Sequence, residues 1–146
     1  MKSRLAFAAL LMLAACKGGD PEPKVTQAWV RLPAVAGQPA AAYFTLQGGG
    51  KADKLVRVES ALAGKIDLHE SMTGTHGMTT MAPTAEVEVP AGGVVDFAPG
   101  GRHAMVYRLD KVVVPGTAVP LRFGFASGKT AEAEAKSVAA GESAPY

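Results

Sequence analysis

Four residues of two types stand at spacings that suit soft-metal chemistry: His69, Met81, His103 and Met105. The chain has three histidines and six methionines, and Met1 and Met12 fall in an apolar leader. Every other His and Met lies between His69 and Met105. Thioether sulfur is a soft, neutral donor that favours Cu(I), and imidazole suits copper in either oxidation state. Zinc is usually held by Cys, His or carboxylate rather than Met. A blue-copper electron-transfer centre needs a Cys thiolate beside two His, and the single cysteine, Cys16, sits at the end of the leader. The set therefore reads as a Cu(I) site on a carrier rather than on a redox protein. A lone Met on a strand is usually core filling, so the argument rests on the clustering. Met72, His76 and Met78 stay open: they are either an auxiliary copper contact or part of a solvated loop. Glu70 either tunes His69 or faces solvent.

The elements that must position these residues are strands. Val25–Arg31, Ala41–Gln47, Asp53–Ser60, Lys65–Glu70, Glu86–Val89, Val94–Phe97, Ala104–Leu109, Val119–Ala126 and Ala131–Val138 form a series of short β segments, with Pro and Gly at nearly every junction. No long helix is expected, and Ala61–Ala63 suits a single turn. Such spacing predicts an all-β Greek-key sandwich or barrel. Trp29, Tyr43, Phe44, Phe97, Phe123 and Phe125 are its expected aromatic core. His103 and Met105, two apart on one strand, face the same side. Residues 71–80 read as irregular and Met81 as following a flexible loop. Three strand or loop ends are thus expected to bring two imidazoles and two thioethers to one pole.

The N-terminus is a different kind of segment. Lys2 and Arg4 precede an apolar run from Leu5 to Ala15, which is too short to span a bilayer as a helix. Leu13-Ala14-Ala15-Cys16 follows the pattern of a secretory signal peptide and resembles a bacterial lipobox. Residues 1–15 are expected to be the signal peptide, with Cys16 lipidated; an ordinary signal peptide with a chance cysteine is the alternative. Residues 16–24 read as lipidated terminus and tether, 25–138 as the copper-binding β domain, and 139–146 as a flexible tail. Setting Lys2 and Arg4 aside leaves thirteen basic and thirteen acidic residues, so nothing points to nucleic acid.

At this point the spacing resembles that of the PCuAC (DUF461) family of periplasmic copper chaperones. Their motif is a His, usually a neighbouring Met, ten residues, a Met, twenty-one residues, then His-x-Met. Here His69 is followed by Glu70 in the place of that Met, by ten residues to Met81, and by twenty-one more to His103-Ala104-Met105. The flanks Val89-Pro90-Ala91-Gly92-Gly93 and Pro99-Gly100-Gly101-Arg102 are similar too. The resemblance implies a cupredoxin-like fold and Cu(I) held by His69, Met81, His103 and Met105. It also implies delivery to the CuA or related copper centres of respiratory oxidases, beside a Sco-like thioredoxin-fold partner. A membrane-anchored periplasmic lipoprotein without enzyme activity is the expected form. The alternatives are a copper-buffering or resistance protein without specific delivery, a copper redox enzyme, and a metal-free structural sandwich. Lys17 follows Cys16, where Asp is the usual bacterial signal for retention in the inner membrane.

Overall fold

The structure, a computed structural model, describes residues 19–146. The expected signal peptide and Cys16 lie outside the described residues. Ten strands form one sheet: β1 (Lys24–Arg31), β2 (Ala40–Gln47), β3 (Asp53–Glu59), β4 (Lys65–Thr73), β5 (Thr79–Pro83), β6 (Val87–Val89), β7 (Val94–Phe97), β8 (Arg102–Tyr107), β9 (Ala118–Phe125) and β10 (Thr130–Val138). Their order is β5-β4-β8-β7-β2-β1-β10-β9-β3-β6, with β8 also pairing β2. The β1–β10 and β7–β8 pairs are parallel and the others antiparallel. The described chain is all-β, as expected.

The sheet curls into a half-barrel. In strand order, β2 and β9 are three positions apart, which is about 14 Å on a flat sheet. Yet the rings of Phe44 on β2 and Phe123 on β9 meet edge to face with centroids 4.8 Å apart. Phe44 also stacks on Phe97 of β7 at 4.2 Å. Curling lets one face of every strand except the exposed β5 contribute to one interior. Phe44, Leu46, Leu55, Val89, Val106, Leu121 and Phe123 fill it and are fully buried.

Two expectations are corrected here. Trp29 and Tyr43 are buried but belong to a second cluster on the outer face, with Val138. Tyr43 cannot share a face with Phe44, its neighbour on a strand. Trp29 is moved outward by a β-bulge: pairing with β2 shifts register between Thr26 and Trp29, and Gln27 takes a left-handed φ of 50°. One extra residue inverts the facing of everything after it. Residues 71–80 are not irregular but make a hairpin, with β4 running to Thr73, β5 starting at Thr79 and a tight turn between. Gly74 N–H donates to the Met78 carbonyl at 2.8 Å, and Gly77 supplies the positive φ of 72° that the turn requires.

The N-terminal segment is tied down before β1 begins. Gly50 N–H donates to the Pro21 carbonyl at 2.9 Å, Lys51 pairs with Asp20 at 3.0 Å, and Lys129 with Glu22 at 3.2 Å. At the other end the Tyr146 hydroxyl donates to the Ala28 carbonyl at 2.8 Å.

Candidate metal centre

Cross-strand register assembles the site. β4 lies between β5 and β8, and His69 on β4 is directly opposite His103 on β8. Met105 is opposite Asp67, and Met81 on β5 is opposite Ser71. Directly paired residues share a face, and so do residues two apart. His69, His103, Met81 and Met105 therefore all stand on one face of three adjacent strands. The thioethers flank the imidazole pair from diagonal positions about 7–8 Å away, within reach of long side chains. Register places the four residues on the outer face of the sheet. That face is defined by its opposite, since Leu68, Ala104 and Val106 on the same strands point into the core.

His103 is the buried part, and His69 is half-buried. Their ring centroids are 5.6 Å apart with the planes tilted by 41°. His103 is only 5% exposed. Its Nδ1 lies 3.2 Å from the Gly101 carbonyl, so Nδ1–H donates there and the lone pair is left on Nε2. That Nε2 is buried and has no hydrogen-bond partner, and neither has the buried Nδ1 of His69. Buried polar atoms are nearly always partnered, so two orphaned ring nitrogens on neighbouring strands are unusual. A histidine that ligates a metal commonly gives its other N–H to a backbone carbonyl, which is the role Gly101 fills for His103. The same carbonyl accepts the Ser71 N–H at 3.2 Å and ties the turn before β8 to β4.

Burial, and then the proximity of His103, holds the His69 imidazole below its ordinary range; Asp67 opposes this and Lys65 adds to it. His69 is accordingly neutral at neutral pH, the form that can donate a lone pair. Asp67 shares the face but is engaged by Lys65, with Nζ 2.6 Å from Oδ2. Glu70 points to the opposite face and pairs with Arg102 at 3.2 Å. Among the described residues no group of three or more His, Cys, Asp and Glu side chains converges as a metal cradle. Any metal here would complete its coordination with the thioethers. Met105 is half-buried and Met81 is 63% exposed, so the ligand set runs from a buried imidazole to a solvent-facing sulfur.

Met72, His76 and Met78 are not brought to this face. Met72 is opposite Thr80 and alternates with Ser71, so it faces the other way, and Met78 lies in the turn just before β5. Both are exposed, with His76 at the hairpin turn. Sequence reasoning missed a neighbour on the site's own face. Arg31 is opposite Ala41, and Ala41 is opposite Met105. The Arg31 guanidinium stacks over Trp29 at 4.9 Å and Tyr43 at 5.6 Å. The available signal was Trp29-x-Arg31, two residues on one side of a strand, but the bulge that chooses the side has no such mark.

Comparison with known proteins agrees with the fold. The copper-bound PCuAC domain from PmoF2 superposes with a TM-score of 0.67 at 21% identity, covering 83% of this chain and 96% of that one. The solution structure of CuI-DR1885 from Deinococcus radiodurans gives a TM-score of 0.59 at 25% identity, covering 84% and 80%. A Leifsonia xyli subsp. xyli protein described as "Putative lipoprotein Lxx21020" is 29% identical over 107 residues, which are 73% of this chain and 64% of that protein. The chain thus spans under two thirds of that relative. The cupredoxin-like architecture implied by the PCuAC resemblance is present. The family model described as "LpqE-like: Putative lipoprotein LpqE-like" matches residues 24–137, from the first residue of β1 to the penultimate residue of β10, and this chain belongs to that family.

Proposed function

We propose that this protein is an extracytoplasmic Cu(I) metallochaperone whose cargo is held by His69, Met81, His103 and Met105. The observation that carries the reading is the pair of buried, partnerless imidazole nitrogens on a face shared with two thioethers. Two neutral imidazoles and two neutral sulfurs suit a soft monovalent ion. Copper-bound relatives of the same fold support it. The gradient of exposure supports transfer by ligand exchange. An acceptor's thiolate displaces the Met81 sulfur first, because that sulfur faces solvent, and His103 releases last. The recipient in this reading is a respiratory oxidase copper centre, CuA or related, reached directly or through a Sco-like thioredoxin-fold protein. The family's lipoprotein description supports an anchor at Cys16. No enzymatic step is assigned.

The test is anaerobic Cu(I) titration of the domain against a competing chelator. One tight equivalent is expected, lost by at least a hundredfold in affinity in His103→Ala/Met105→Ala. Equal affinity in that variant overturns the ligand assignment. Delivery is tested by loss of the gene, with a copper-correctable oxidase defect expected; copper sensitivity without an oxidase defect indicates buffering instead.

A further inference from the structure

We infer that Arg31 sets the charge selectivity of the copper site, disfavouring divalent ions relative to Cu(I). The inference rests on the reading of His69, Met81, His103 and Met105 as the Cu(I) ligands.

Arg31 is an unusual cation. Among the described residues it makes no ion pair, and its Nε is buried without a hydrogen-bond partner. What holds it is the aromatic pair beneath, Trp29 and Tyr43, with centroids 4.5 Å apart and both rings buried. Stacking over both rings fixes a planar guanidinium better than it would an ammonium. The charge is therefore permanent, oriented and uncompensated.

Its position relative to the ligands follows from register. The row Arg31–Ala41–Met105–Asp67 crosses β1, β2, β8 and β4. Two strand spacings, about 10 Å, separate Arg31 from Met105. The guanidinium leans over Tyr43, which follows the Ala42–Ala104 pair and so stands beside His103. The carboxylate in the row, Asp67, is neutralised by Lys65, and Glu70 faces the other side with Arg102. Lys136, one strand beyond Trp29, is exposed and screened by solvent. The ligands themselves are neutral, and Arg31 is a half-buried positive charge on this face; the carboxylate of Asp96, opposite Thr45, shares the face and accepts from the Thr45 hydroxyl at 2.8 Å.

A fixed positive charge repels any bound cation and repels a doubly charged one twice as strongly. At about 10 Å and an effective dielectric near 20, the extra charge of Cu(II) shifts the Cu(I)/Cu(II) affinity ratio by about tenfold. For a one-electron couple that is about 59 mV. Arg31 would also keep Cu(I) from binding too tightly to be released.

The experiment measures Cu(I) and Cu(II) affinities by chelator competition, and the copper potential, for wild type, Arg31→Gln, Arg31→Leu and Arg31→Lys. In the two neutral variants both affinities should rise, Cu(II) by about tenfold more, with the potential falling by about 59 mV. Arg31→Lys should keep the wild-type ratio within about threefold. An unchanged ratio in either folded neutral variant, or a Lys variant matching the neutral ones, overturns the inference while leaving the ligand assignment intact. A wild-type protein that binds no Cu(I) removes the ligand assignment itself, and the inference with it.

Discussion

At the residue scale, the site depends on which ring nitrogen carries a proton. Gly101 decides this for His103 by accepting Nδ1–H, and a glycine-rich turn brings that carbonyl close: Gly100 has a φ of 84°, and Gly101 N–H bonds back to Ala98 at 3.0 Å. His69 has no such partner on its buried Nδ1. Burial lowers its pKa, which links the copper-free fold to pH. The unfolded chain takes up this proton near the ordinary imidazole value of about 6.5, and the folded chain only at lower pH. Within that window the unfolded state binds more protons, so stability is fully present above it and falls as pH drops. Denaturant midpoints of the copper-free protein should therefore decrease from pH 7.5 to 5.5, and His69→Gln should reduce that decrease. A His69→Gln protein with the full wild-type slope would place the titration elsewhere.

At the element scale, the β4–β5 hairpin turns a methionine-rich segment into two faces. Met81 stands on the face of the histidines, while Met72 stands on the reverse and Met78 lies in the turn between the strands. A single-face site predicts that position outweighs residue type. Met81→Ala should weaken Cu(I) binding by about tenfold or more, whereas Met72→Ala/Met78→Ala should leave the tight equivalent within about twofold. Chelator competition on both proteins checks this. A larger loss in the double variant would assign copper to the hairpin's reverse face. The bulge at Gln27 acts in the same way on β1. Regular pairing from Val25 would carry Trp29 and Arg31 into the interior, where an unpaired guanidinium costs several kcal/mol. The extra residue puts both beside the site instead.

At the scale of the whole molecule, the two ends of β1 and β2 do different work. Lys24 pairs with Gln47 at the end where the N-terminal segment is tied down, and Arg31 pairs with Ala41 near the candidate metal face. Six residues of strand separate these ends, about 20 Å. From Cys16 to Asp20 four residues reach at most about 14 Å. A lipid on Cys16 would then hold the tied-down end toward a bilayer and leave the metal face available to a partner. Cys16→Ser is expected to move the protein from the membrane fraction to the soluble fraction without changing Cu(I) affinity. Retention of the variant in the membrane fraction would remove the anchor from that residue.

Much of this was legible in the chain itself. Alternating apolar residues and Pro/Gly junctions place most strands, because a half-buried strand writes its period into the sequence. The ligand types and the chemistry they favour also follow from residue identity, since thioether is a soft donor and imidazole suits copper wherever they stand. The hairpin over 71–80 was not legible, because both faces of a two-stranded ribbon beyond the core are wet and impose no period. Nor was the outward turn of Trp29, Arg31 and Tyr43, because facing depends on a one-residue bulge and on which strands become neighbours. The amino-acid sequence determined the donor atoms, their spacing and the β class. The tertiary structure decided which of them share a face, and that an arginine without an ion pair stands on that face two strands away, because register between distant strands is set by long-range pairing rather than by any local run of residues.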